Sequence, residues 1–381
     1  MAAAVYSGVL PRHLYVHVPF CARRCSYCDF SIAVRAVVPA GDFARAVASE
    51  LRMHYPGSER WELDTLYFGG GTPSKLGGEG VTQLLDLIRG RVTLAPDAEV
   101  TLEANPEDVS PASVRAWRAA GVNRLSLGAQ SFDDRVLTWM HRTHDAGAIP
   151  RAVETARAAG FSDVSLDLIF ALPDSLERDW IRDLESALAL RPTHLSLYGL
   201  TVEPATPLAR WRARGKVHEA PEERYEREFL AAHEILAAHG LAHYEVSNYA
   251  RPGHEARHNA AYWRGVPYAA VGPSAHAFDG GRRRWNTAAY AAWLDHVAAG
   301  RDPIEGEEQL TEDSRALELV YLGLRTAGGL QLMPGESDFL EPWVAAGWAE
   351  IDADGTLRLT PLGWLRLDAL TEHLTIRRSR Y

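Results

Sequence analysis

The sequence predicts an α/β protein, a partial (β/α)6 barrel with a smaller α+β region behind it. Three observations lead there. Extended and helical apolar patterns alternate six times up to residue 240, as strands joined by crossover helices in a parallel sheet do. The loop after the first extended stretch holds Cys21, Cys25 and Cys28, the only 3 cysteines of the chain. The ends of later strands carry Gly, Glu, Gln and Asp, and carboxyl strand ends are where barrel folds place their chemistry.

His13–Val18 reads as the first strand and runs straight into the cysteine loop. Helical spacing at 42–54 follows, then a strand at 64–68 ending in Gly69-Gly70-Gly71-Thr72-Pro73. Residues 81–90 read as helix and 99–103 as strand; Pro111–Ala120 is a helix with proline at its start and Gly121 just past its end. The series continues with strands at 124–127, 164–169 and 194–200, alternating with helices at 148–159, 175–190 and 221–239. The expected division is 1–240, a mixed β connecting part at 241–310, and 311–381. The last part reads helix, helix, then strands at Ala349–Ile351 and 357–359, a winged-helix-like order.

Apolar residues make up 46% and charged residues 24%, ordinary for a globular chain. No apolar run reaches the roughly 18 residues of a membrane span, which leaves only peripheral membrane contact open. Residues 1–11 lack the basic start and apolar core of a signal peptide. The net charge of −10 argues against nucleic-acid binding, even for the winged-helix-like tail, where packing or partner docking is expected. Reduced cysteines point to the cytosol.

Thiolates are soft ligands suited to iron–sulfur clusters and zinc. Three on one short loop hold three irons of a [4Fe–4S] cube and leave the fourth free for a small molecule. The competing reading is zinc, with a fourth ligand from His17, Asp29 or a distant histidine. The glycine run lets backbone N–H groups approach an anionic or zwitterionic ligand, or simply makes a tight connection. Glu103 ends a strand, either facing a ligand or as a solvated acid at a helix N-terminus. Asp167 sits inside the apolar run 166–170, where a carboxylate needs a partner; Arg142 is the natural one, for a protein or ligand carboxylate.

The spacing C-x3-C-x2-C, with Tyr27 before the last cysteine, resembles the cluster loop of the radical S-adenosylmethionine (SAM) superfamily. With 15–21, Phe68 to Pro73, Glu103 to Pro106, Gly128 to Phe132 and Asp167 to Pro173, the chain resembles oxygen-independent coproporphyrinogen III dehydrogenase and HemW-type haem chaperones. The resemblance implies a [4Fe–4S] cluster on Cys21, Cys25 and Cys28. It implies SAM contacts at Tyr15, Tyr27, Gly70, Gly71, Thr72, Glu103, Gln130, Arg142 and Asp167. The dehydrogenase carries a fourth Cys two residues after the third, where this chain has Phe30, and a longer N-terminal arm. The chaperone branch carries His-Asn-x-x-Tyr-Trp, found here from His258 to Trp263. By resemblance His258 is then a haem ligand, acceptor haemoproteins are partners, and an electron donor serves the cluster. By itself the hexapeptide reads as a capped helix with aromatic packing. His17, His254 and His276 read as hydrogen-bonded structural histidines.

Overall fold

In the computed structural model, which describes residues 10–57 and 60–379, nine strands form one sheet. Residues 1–9, part of the segment read as lacking a leader, lie outside the described residues. The six anticipated strands stand side by side in chain order, all parallel. They are β1 (His13–Val18), β2 (Trp61–Gly70), β3 (Val92–Ala104), β4 (Arg124–Gln130), β5 (Asp163–Phe170) and β6 (His194–Gly199). Strands β2 and β3 run beyond their apolar centres because their ladder continues from Trp61 to Leu63 against Val92 to Leu94. Helices α1 (Ala40–His54), α2 (Gly77–Arg89), α3 (Pro111–Ala120), α4 (Ala148–Ala158), α5 (Trp180–Ala189) and α6 (Glu222–Ala238) supply the crossovers. The middle part of the chain adds strands to both edges of this sheet. A hairpin, β7 (Ala242–Glu245) and β8 (Asn248–Ala250), pairs antiparallel with β6, and β9 (Ala269–Val271) pairs parallel with β1.

Alternation along the strands sorts residues by polarity. Leu14, Val16 and Val18 of β1, Leu66 and Phe68 of β2, Leu125 and Leu127 of β4, and Leu166 and Leu168 of β5 are all 0–1% exposed. They join one core with Val47, Leu84, Trp117, Val153 and Leu184 of the helices. The intervening positions are polar and fall in register: Tyr15 beside Tyr67, Tyr67 beside Thr101, Thr101 beside Arg124. A second row aligns Glu103 with Ser126 and Ser126 with Ser165, and Asp167 stands beside Ser196. The barrel interior is therefore a polar lumen.

The C-terminal part has three antiparallel strands in the order Leu330–Gln331, Thr356–Leu359, Ala349–Ile351, with helices Glu312–Leu324, Glu336–Ala345 and Leu367–Arg378. It docks through Trp364, whose ring meets His243 of β7 at 3.9 Å, while within the C-terminal part the same indole N–H donates to the Leu324 carbonyl. Among the described residues no helix is long and apolar enough to cross a membrane.

Glu50 of α1 ties the middle part to the barrel. Its wholly buried carboxylate accepts from the Gly272 backbone N–H at 2.9 Å, Asn286 at 2.6 Å and the Trp293 indole at 2.8 Å. Gly272 is required there: its φ is +102°, and a Cβ would lie 2.5 Å from the His17 carbonyl oxygen. Glu50→Ala strands three buried donors, so chemical denaturation should show a loss of about 3–5 kcal/mol. A change below about 1 kcal/mol would mean that the clamp is dispensable.

Candidate functional site

The cysteine loop leaves the end of β1 and is pinned on both sides. A short parallel ladder pairs Phe20–Cys21 with Ala33–Val34. The backbone of buried Ser26 donates to Met140 O at 3.1 Å and accepts from Leu208 N at 2.8 Å. Tyr27 packs against the small apolar clusters around Met140 and Leu208, which turns the loop toward the strand ends.

There the loop closes one side of a cavity of about 340 Å³. All three cysteines line it, together with Tyr27, Gly70, Gly71, Thr72, Glu103, Gln130, Arg142 and Asp167. The glycine run is packed as tightly as close backbone approach demands. A Cβ on Gly70, whose φ is +110°, would sit 2.6 Å from the His17 ring, and one on Gly71 would sit 2.7 Å from Pro19 backbone. Thr72 Oγ1 stands 3.4 Å from Cys21 Sγ. Glu103 accepts from Tyr67 OH at 2.8 Å and from Gly70 N–H at 3.1 Å, so it is a positioned carboxylate and not a solvated helix-end acid. Burial raises its pKa to about 7. Gln130 ends β4 in the left-handed region at φ +66°, an arrangement that costs energy and is typical of functional sites.

Arg142 and Asp167 do not pair directly. Arg142 donates to Asn105 Oδ1 at 2.6 Å, Gly128 O at 2.8 Å and Cys25 Sγ at 3.6 Å, while its buried Nε–H has no partner among the described residues. Asp167 accepts from Ser126 Oγ at 3.1 Å, and burial pushes its pKa up.

Two expected residues lie elsewhere. Tyr15 lines a second cavity, of about 580 Å³, and its hydroxyl meets His17 Nδ1 at 3.2 Å. His258 reaches neither cavity wall. It is fully buried in the lumen on helix α7 (Arg257–Trp263), with Nδ1 2.7 Å from Thr65 Oγ1 and Nε2 2.8 Å from Tyr262 OH. Glu99 caps that helix by accepting from the backbone of Arg257 and His258. Both of its ring nitrogens are thus hydrogen-bonded inside the lumen. The hexapeptide is a capped helix with aromatic packing, and its Tyr262 and Trp263 line the second cavity. His17 and His254 are hydrogen-bonded, to Ser31 O at 3.0 Å and Asp163 at 2.6 Å, but neither ring nitrogen of His276 has a hydrogen bond among the described residues.

Sequence reasoning missed Asn105, Ser126 and Tyr198 in the first cavity. The signal was available: counting in twos back from Gln130 lands on Ser126, on from Glu103 lands on Asn105, and from Ser196, which stands beside Asp167, lands on Tyr198. The donor set fits a cluster with SAM. The cysteines share one cavity with two carboxylates and an unpartnered arginine N–H, yet no three His, Cys, Asp or Glu side chains among the described residues converge as ligands of one metal ion do.

Comparison with known proteins agrees with this geometry. The Radical SAM superfamily pattern matches residues 15–187. The heme chaperone HemW of Mycobacterium tuberculosis is 39% identical over 370 residues, covering 96% of this chain and 95% of that protein. The heme chaperone HemW of Escherichia coli is 39% identical over 267 residues, covering 70% of each chain. In structure, the coproporphyrinogen III oxidase HemN of Escherichia coli superposes with a TM-score of 0.80 at 23% identity, covering 97% of this chain and 91% of that one; this likeness establishes the fold. The chain therefore belongs to the radical SAM superfamily and, within it, to the HemW family.

Proposed function

We propose that this protein is a cytoplasmic haem chaperone that holds a [4Fe–4S] cluster, SAM and haem, and passes haem to acceptor haemoproteins. The single observation that carries the reading is the first cavity, where three thiols meet Glu103, Gln130, Arg142 and Asp167. In that cavity Cys21, Cys25 and Cys28, on the pinned loop, would hold the cluster. Glu103 and Asp167 accept hydrogen bonds from the amino group and hydroxyls of SAM. Arg142, on the cavity wall, offers its positive charge to the SAM carboxylate while it donates to the Cys25 sulfur. When bound, the cluster supplies an electron from a separate donor protein and SAM supplies a radical source. The relatives named heme chaperone support haem as cargo, and the Tyr–Trp end of the hexapeptide supports a haem site beside the first cavity.

Oxidation of coproporphyrinogen III is the rival activity. Phe30, at the position of that enzyme's fourth Cys, counts against it. Reconstituted protein given reductant, SAM and either haem or coproporphyrinogen III should bind haem and leave the porphyrinogen unchanged. Formation of protoporphyrinogen IX would overturn the proposal.

Two further outcomes are expected. Wild-type protein reconstituted without oxygen should carry about four iron and four sulfide per chain, and Cys25→Ala should lose the visible iron–sulfur absorption. Retention of the intact cluster in Cys25→Ala would remove that ligand. SAM affinity should rise as pH passes upward through about 7, because Glu103 binds as the carboxylate and is protonated below that value. Glu103→Gln should flatten this rise in a binding titration; a profile identical to wild type would exclude Glu103 as the titrating contact.

A further inference from the structure

We infer that His276 is the iron ligand for haem seated in the second cavity, an assignment that rests on the haem-carrying reading above. Three imidazoles compete for the role. Both nitrogens of His17 are engaged, with Tyr15 OH at 3.2 Å and Ser31 O at 3.0 Å. Both nitrogens of His258 are engaged inside the lumen. His276, on the strand His276–Phe278, is exposed at the cavity wall and stacks on Trp285 at 5.9 Å with the rings 20° apart. Neither of its nitrogens is hydrogen-bonded among the described residues. Partial burial and the neighbouring Arg283 lower its pKa, which keeps it in the neutral form that binds iron.

The surroundings suit a flat, largely apolar disc with acidic edges. About 580 Å³ lies within the range of small-molecule sites, and Tyr262, Trp263, Tyr268 and Phe278 present aromatic surface to it. Arg283 lies over the Phe278 ring at 5.4 Å, where its guanidinium, shared with Glu318, would be the cation nearest a propionate. Glu318, also on the wall, is paired with Arg283, so it does not stand as a lone like charge. His258 then acts at one remove, holding Tyr262 in the wall through their 2.8 Å hydrogen bond, so it is a positioning residue. Gly70 and Phe30 line both cavities, which places the cargo directly across from the cysteine loop.

Ferric haem titrated into the reconstituted full chain tests the assignment. Wild type should give a defined Soret band. In His276→Ala that band should shift and haem Kd should rise by at least about tenfold, the scale on which even outer partners of metal ligands act. Added imidazole should restore the wild-type band. His258→Ala should keep the Soret position of wild type. A band and Kd for His276→Ala equal to wild type, or a Soret shift in His258→Ala alone, would overturn the assignment. Failure of wild type itself to bind haem would sink the chaperone reading instead. Should His276→Ala lose its thermal transition, His276→Met is read in its place: a changed band supports the ligand and an unchanged one rejects it.

Discussion

A polar group inside a parallel sheet has to be given a partner, because water is absent and an unpaired donor or acceptor there costs free energy on the order of 1–3 kcal/mol. This sheet accepts that obligation at nearly every inward position from β1 to β6. At the amino ends of the strands several of these groups satisfy one another, though the Thr101 hydroxyl has no partner among the described residues. His13 meets Thr65 at 2.9 Å, Thr65 meets His258 at 2.7 Å, Ser165 meets His194 at 2.7 Å and His194 meets Tyr244 at 2.7 Å. Helix α7 plugs that end and is held by Glu99. The carboxyl ends have no such plug, and Glu103, Gln130, Arg142 and Asp167 face a cavity. Chemistry is concentrated where the closed network stops.

The same arrangement divides the molecule's two ligand spaces. The cysteine loop crosses the open end and is fixed by backbone hydrogen bonds to residues more than a hundred positions away, through Ser26 to Met140 and Leu208. Phe30 and Gly70 form a common wall, one face toward the thiols and the other toward an aromatic cavity built from the middle part of the chain. Glu50 clamps residues 272, 286 and 293 against α1, which holds the middle part of the chain that supplies this second cavity's aromatic wall. Its aromatic wall continues into the lumen network through Tyr262 and His258, so the packing of the barrel floor and the shape of the second cavity are linked.

Local residues determined much of this. The alternation of strand and helix, the stop at Gly121, the three clustered thiols and the glycine run all depend on near neighbours in the chain, so they were legible in order and in identity. The edges of the sheet were not. The hairpin β7–β8 and strand β9 join opposite sides of it, and partners so distant in sequence leave no periodic trace. Arg142 was legible as a cation but not as a donor to Asn105, Gly128 and Cys25, since those partners meet only across strand ends. The histidines show the division most sharply. The motif at His258 marks a residue that matters, yet only the folded lumen decides that its nitrogens are taken, while His276 on an unremarkable strand keeps its own free. Sequence by itself determined which ligating groups the chain carries; tertiary structure decided which remain available, because hydrogen-bond satisfaction depends on partners brought from far along the chain.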